Sequence, residues 1–157
     1  MKRDILKEIN LETLVAPAVR SASSVNAADF DLSEVYEAGF AINVGALGGA
    51  STLALALHQK KSDGNYAALT DADGNAVAVS AFALTANKVY VGRIDARALN
   101  AGGLWIPTVR LVITTAVDTV AYGVLGIVGS RREEKRGSGE ASPYPVLEFS
   151  TQHALMS

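Results

Sequence analysis

The 157-residue chain contains no cysteine, so neither a disulfide nor a thiolate metal site can contribute to its fold. Aromatic residues make up only 6% of the sequence, which leaves few side chains for an aromatic ligand platform. Charged residues account for 19%, and the formal net charge is -2. This composition lacks the basic surplus that is typical of proteins that bind nucleic acids or anionic membranes. We therefore expect neither nucleic acid nor a membrane as a partner.

Long apolar runs are also missing. The longest candidate, residues 120–128, has the length of a strand, whereas a membrane helix needs about 20 apolar residues. The first ten residues, MKRDILKEIN, lack the apolar centre of a signal peptide. Helical spacing occurs only near this end, where Ile5, Leu6 and Ile9 follow Asp4 as a candidate cap. Residues 1–13 are thus predicted to form a short helix or an arm.

Several segments alternate apolar residues with small or polar ones, which places every second side chain on one face of a strand. The clearest is STLALALHQ, in which Leu53, Leu55 and Leu57 share a face. A further strand is predicted to begin near Thr108, because Pro107 has no amide hydrogen for a sheet interior. The segments of this kind are FAINV at residues 40–44, KVYVGRIDA at 88–96, TVRLVITTA at 108–116 and TVAYGVLGIVG at 119–129.

Turn signals separate these segments. The Asp63-Gly64 and Asp73-Gly74 pairs supply the positive φ that tight hairpins need. Short strands with such punctuation are typical of an antiparallel sandwich or barrel rather than of alternating strands and helices. We predict one all-β domain over residues 14–130, since a chain of this length fits a single domain.

After residue 130 the composition changes. Residues 131–136 are all charged, and Gly, Ser and Pro follow, as in a solvated linker. Apolar residues return at Val146, Leu147 and Phe149. We interpret residues 131–157 as a linker and a C-terminal arm that docks on another surface.

A cation site is one alternative for the second Asp-Gly turn. Asp71, Asp73 and Asn75 around Gly74 resemble the start of a calcium loop. The complete EF-hand pattern also requires a glutamate six residues after the glycine, where this chain has Ser80, and flanking helices. A hairpin turn is the favoured interpretation, and the cation is left open.

No residue pattern indicates catalysis. His58 and His153 have no second ligand at metal-binding spacing, and His58 is expected to face outward from a strand. The acidic residues between Asp29 and Glu37 are interpreted as a solvated loop rather than as paired catalytic carboxylates. We predict no catalytic residue, no metal site and no cofactor.

Five motifs follow one another along the chain in an order that resembles a known protein family. These are LVAPAVRSAS at residues 14–23, FAINVGAL at 40–47, LALALHQKKSDGNYAAL at 53–69, KVYVGRID at 88–95 and VRLVITTAVDTVAYGVLGIVGS at 109–130. Together they resemble the small jelly-roll cement or decoration proteins of tailed bacteriophages, over residues 14–130. The family has a basic aromatic cluster before its penultimate strand, whereas NAGGLWIPTVR at 100–110 has only Arg110 as a basic residue.

The resemblance implies an antiparallel, jelly-roll-like β-sandwich with extended N- and C-terminal arms. It implies a non-enzymatic virion protein, made in the host cytoplasm, that binds the outer capsid surface and reinforces contacts between major capsid subunits. A dimer or trimer on the capsid lattice is expected. Trp105 is a contact candidate because Trp is enriched at interface anchors, although a buried core position is equally compatible. The other expected contact residues are Arg131, Arg132, Tyr144, Val146, Leu147 and Phe149.

Two other functions remain open on the sequence. A carbohydrate-binding or adhesion module would need a cluster of exposed aromatic side chains, and the chain is poor in these. A small hydrolase on the same sandwich would need a nucleophile, base or metal constellation, which no motif provides.

Overall fold

Ten strands and no helix are formed by the residues that the computed structural model describes, namely 9–32, 37–70, 73–95, 108–129 and 146–148. The strands are β1 (Ile9–Arg20), β2 (Ser24–Asp31), β3 (Glu37–Leu47), β4 (Thr52–Lys60), β5 (Tyr66–Ala68), β6 (Ala78–Ala83), β7 (Lys88–Asp95), β8 (Thr108–Ala116), β9 (Val120–Gly129) and β10 (Val146–Glu148).

The strands form two sheets. Sheet A has the order β1-β9-β3-β7-β10, and sheet B has the order β2-β8-β4-β5, with β6 also paired to β4. From β1 to β4, and again from β6 to β9, each strand lies in the opposite sheet from the one before it, which is the connectivity of a jelly roll. The predicted all-β, antiparallel jelly-roll sandwich is confirmed. Among the described strands, only β10 pairs in parallel.

The core lies between the inner faces of the two sheets. Burial alternates along β4, where Leu53, Leu55 and Leu57 point inward as the sequence predicts. The same alternation holds on β3 and β7 of sheet A. The largest fully buried side chains come from both sheets and include Phe30, Phe40, Ile42, Val44, Val77, Ile94, Val109, Leu111 and Ile113. The apolar periodicity of the sequence therefore defines the interior.

The glycines of β9 make room for side chains of β1. β9 lies inside sheet A between β1 and β3. A Cβ at Gly126 would lie 3.0 Å from Cγ of Leu14, and one at Gly123 would lie 2.9 Å from Cγ of Pro17. These glycines thus accept two neighbouring side chains, one on each face of the sheet.

The structure corrects the prediction for the N-terminal residues. Residues 9–13 belong to β1 and pair with β9, so the predicted helix or arm does not extend to residue 13. Pairing satisfies the backbone polar groups that face β9 and allows Leu14 to pack on Gly126, so tertiary contacts override the local helical spacing. Residues 1–8 lie outside the described part of the chain.

The interpretation of the acidic segment as a loop is wrong for its first two acidic residues. Asp29 and Asp31 lie in β2, where they pair with Arg110 and Thr108 of β8. The predicted Asp63-Gly64 turn is confirmed, since Gly64 has a φ of +84° and Oδ1 of Asp63 accepts the amide hydrogen of Asn65 at 2.9 Å. This turn joins β4 to β5.

Replacing Gly92 should destabilise the sandwich. An alanine methyl at this position would collide with the ring of Phe40, which is fully buried. We expect Gly92→Ala to lower the free energy of unfolding by about 1–3 kcal/mol, as overpacked cores do. Urea unfolding measures the effect.

Gly39→Ala is the matched control in the neighbouring strand. Its methyl would lie 3.5 Å from the carbonyl oxygen of Gly92 and 3.8 Å from Cβ of Ile127, which are ordinary contacts. We expect this variant to unfold close to the wild-type urea concentration. Equal losses in the two variants would contradict the packing described for Phe40.

Candidate functional site

Most of the predicted contact residues lie outside the described part of the chain. These are Trp105, Arg131, Arg132, Tyr144 and Phe149. Asp71 of the candidate cation loop also lies outside it, whereas Asp73 is exposed next to Gly74, which has a φ of +83°. The described part of the chain contains no group of three or more His, Cys, Asp or Glu side chains that could hold a metal ion.

Val146 and Leu147 lie in β10, at one edge of sheet A. Their backbones pair with Val91 and Gly92 of β7, and Glu148 pairs with Arg93. The part of the arm that regains apolar residues thus adds a short strand to the sheet of its own chain.

A polar cluster occupies the outer face of sheet B. Asp29, Arg110 and His58 form one row across β2, β8 and β4, because Arg110 pairs with both of the others. Lys60 and Tyr66 form the next pair, between β4 and β5. Five residues from three separate stretches of the sequence therefore meet on one surface, which we call the sheet B cluster.

Tyr66 is at the centre of the sheet B cluster. Its hydroxyl donates to the Asp29 carboxylate, with Oη 2.6 and 2.7 Å from the two oxygens. The Arg110 guanidinium carbon lies 3.6 Å from the centroid of the Tyr66 ring, as in a stacked cation–π contact. Nζ of Lys60 lies 3.4 Å from Oδ2 of Asp29 and 5.7 Å from the same ring. The aromatic face is thus covered by cations.

The electrostatics of the cluster follow from these contacts. The hydrogen bond to Asp29 favours the protonated phenol and raises the pKa of Tyr66, with desolvation as the next cause. Nε of Arg110 is buried and has no hydrogen-bond acceptor within the described ranges. These contacts link β2, β5 and β8 across the outer face of sheet B.

His58 faces outward from β4, as predicted, and is half-buried. Desolvation lowers its pKa from the usual value of 6.5, and the positive charge of Arg110 lowers it further. The side chain is therefore neutral in the folded protein at pH 7.

The pKa of His58 makes the fold sensitive to acid. Because the pKa is lower in the folded state, the unfolded chain takes up a proton first as the pH falls below about 6.5. The contribution of His58 to the free energy of unfolding is therefore fully present above this pH and decreases as the pH falls toward the folded-state pKa. We expect the free energy of unfolding to fall less in His58→Gln than in wild type when the pH is lowered from about 7.5 to about 5.5. These two values lie on either side of the ordinary histidine pKa of about 6.5. Urea unfolding at both pH values measures this, and identical losses would contradict it.

The outer face of sheet A is largely apolar, with Thr13, Asn43 and Arg93 as polar residues on it. Leu11 pairs with Ile127, and Val19 pairs with Ala121, across β1 and β9. Leu11 is 55% exposed, Val19 is 73% exposed and Leu125 is 38% exposed. The half-buried side chains of Ala41, Val89, Val91, Ala121 and Ile127 continue this surface, which we call the apolar face.

The two edges of sheet A differ. β1 carries Pro17 and two register shifts against β9. The Arg20 guanidinium donates to the carbonyl oxygens of Ala16 at 2.8 Å, Ala18 at 3.2 Å and Tyr122 at 3.0 Å. Proline, bulges and charged side chains protect an edge from pairing with further strands. β7, near the other edge, pairs with β3 over eight consecutive residues without any register shift.

Within the described residues, no helix is long and apolar enough to cross a membrane. No protein-family model matches the chain. No curated protein matches it either.

Three solved structures illustrate what the fold is similar to. The SPBc2 prophage-derived protein YomS is 18% identical, with a TM-score of 0.43, and the match covers 78% of this chain and 94% of that protein. The PBSX exported protein XepA is 10% identical with a TM-score of 0.49, covering 85% of this chain and 41% of XepA. The protein of the T=1 particles derived from infectious bursal virus is 14% identical with a TM-score of 0.49, and the match covers 78% of this chain and 32% of that one. Similarity at this level assigns no function to the chain.

Proposed function

We propose that this chain is a non-enzymatic structural protein of a tailed-phage virion, which binds the outer surface of the capsid and reinforces contacts between major capsid subunits. The sequence resemblance to jelly-roll decoration proteins over residues 14–130 supports this proposal. The jelly-roll connectivity of the two sheets agrees with it. The apolar face of sheet A is the observation that carries it.

The apolar face has the composition of a protein-binding surface. Its most exposed members, Leu11, Val19 and Leu125, project from β1 and β9, and the half-buried members around them are small or β-branched. Contiguous exposed apolar side chains on one sheet are a mark of an interaction site. Burying apolar surface stabilises a contact by about 25 cal/mol per Å². We infer that this face meets the capsid.

The opposite face of the sandwich is less suited to this role. Its Asp29, Tyr66 and Arg110 side chains already contact one another. Docking an apolar partner there would desolvate these charged groups without new partners for them, which is costly. The asymmetry of the two outer faces therefore favours sheet A as the docking side.

Many copies on a lattice make a modest contact effective. When each copy touches more than one capsid subunit, the second contact forms at a high effective concentration, and the total affinity greatly exceeds that of one contact. Reinforcement of this kind needs no catalytic residue. It requires a stable body and a surface that repeats from copy to copy, and the sandwich supplies both.

The carbohydrate-binding alternative is less well supported by the geometry. A sugar ring packs on an exposed aromatic face, and the ring of Tyr66 is stacked against the Arg110 guanidinium instead. Phe82 and Tyr90 pack against each other with ring centroids 5.2 Å apart, and Tyr90 is buried. These aromatic side chains serve packing, so we do not propose a sugar ligand.

A charge on the apolar face should weaken capsid binding. Leu11→Glu and Val19→Glu each place a carboxylate in the proposed contact, where its desolvation opposes docking. Because both side chains are largely exposed, the fold should remain intact. We expect each substitution to lower the affinity for particles assembled from the major capsid protein of the same phage about tenfold or more, a change of about 1.4 kcal/mol. Co-sedimentation measures the bound copies.

Asn26→Glu is the matched control. Asn26 is exposed on the outer face of sheet B, so the same carboxylate is added on the opposite side of the sandwich. This variant should bind like wild type. Failure of wild type to co-sediment would overturn the proposed function, and equal binding by all three variants would exclude the apolar face as the contact.

A further inference from the structure

We propose that β7 provides a strand-docking site at the edge of sheet A, and that the segment Val146–Glu148 of a second copy of this chain occupies it. Copies would then be linked by strand exchange, with β10 of one chain taking the place of β10 in another. This inference goes beyond capsid binding and does not depend on it.

The middle of β7 has none of the features that block an added strand. Residues 89–92 contain no proline and no charged side chain, and their pairing with β3 has no bulge. The next residue, Arg93, is charged, but it pairs in register with the oppositely charged Glu148. The β1 edge, in contrast, is protected by Pro17, Arg20 and two register shifts. An edge without such features accepts a further strand through its free backbone groups. Sheet A therefore has one closed edge and one receptive edge.

The strand that β7 receives is held weakly. β10 has only three residues, and it pairs in parallel, a geometry that is slightly less stable per residue than the antiparallel one. Short segments with few contacts open locally at low free-energy cost. A strand of three residues can thus leave β7 at a low free-energy cost.

The segment between β9 and β10 is long enough for β10 to pair with β7 of its own chain or with β7 of a second copy. Residues 130–145, sixteen in all, separate Gly129 from Val146. In sheet A, β10 lies three strands away from β9, and Val146 is level with Leu125, four residues before Gly129. At ordinary strand spacings, the distance from Gly129 to Val146 is roughly 20 Å. An extended chain of this length spans up to about 55 Å. The surplus is enough to reach the β7 of an adjacent copy.

Concentration decides between the two arrangements. The same three backbone pairs form whether β10 comes from the same chain or from a second copy, so their contact energies are equal. In dilute solution the tethered strand is favoured by its effective concentration, whereas copies held at about millimolar local density compete with it. Exchange is therefore expected where copies crowd together, as they do on an ordered surface.

Cysteine crosslinking tests the exchange directly, because the native chain has no cysteine. A Val91→Cys chain carrying a size tag is mixed with an untagged Val146→Cys chain and treated with a short bismaleimide. Neither chain can crosslink these positions internally, so a covalent heterodimer reports pairing between copies. Thr114→Cys, on the exposed outer face of sheet B, replaces Val91→Cys in the collision control.

The expected result is a heterodimer whose yield rises with protein concentration and exceeds the collision control. A yield equal to that control at the highest concentration would overturn the proposal. The double variant Val91→Cys/Val146→Cys should crosslink within one chain in dilute solution. If it does not, β10 does not pair with β7, which would also overturn the proposal.

A shortened chain provides the second test. Deleting residues 131–143 leaves three residues between Gly129 and Val146, which span about 15 Å at most. Pairing within one chain is then out of reach, so this variant should form dimers or larger oligomers in dilute solution, measured by light scattering. Replacing the same thirteen residues with glycine and serine should leave a monomer. A monomeric deletion variant would contradict strand exchange, whatever the result of capsid co-sedimentation.

Discussion

The fit between the inner faces of the two sheets is the constraint on which the rest of the structure depends. The regular strands, such as β4 and β8, contribute every second side chain to this interior. The ring of Phe40 lies directly over Gly92, where any larger residue would meet it. β7 therefore leaves space in the core at Gly92 and fills it with Tyr90 and Ile94 on the same face. With the core fixed in this way, the outward side chains are free to differ between the two sheets.

The sequence was sufficient to predict the strands whose alternation is regular, and it failed where bulges interrupt the pattern. In β4 the three leucines alternate without a break, and the strand was predicted. In β1, Leu14 and Val15 are both buried and the register shifts on either side of Val15, so period two is lost. In β2 the register shifts between Asn26 and Asp29, which made an acidic strand resemble a loop. Bulges are set by the partner strand, which local sequence does not specify.

The sheet B cluster was missed for a different reason. Its members come from β2, β4, β5 and β8, and Asp29 and Arg110 become neighbours only when these strands pair. No spacing rule links residues that are 37 positions apart, such as Tyr66 and Asp29. The outward direction of His58 was predictable because parity within one strand decides it. Its lowered pKa was not, because the cause lies in burial and in a cation on another strand.

The contrast between the edges of sheet A connects the fold to assembly. A sandwich with two open edges would pair without limit, because each edge presents unsatisfied backbone groups. Here Arg20 donates to carbonyl oxygens of β1 and Pro17 removes an amide hydrogen, so that edge is closed by its own residues. The β7 edge is covered instead by a strand that lies sixteen residues beyond the end of β9. With one closed edge and one covered edge, sheet A has β7 as its site for an exchanged strand, and reciprocal exchange at that site ends at a dimer rather than a fibre.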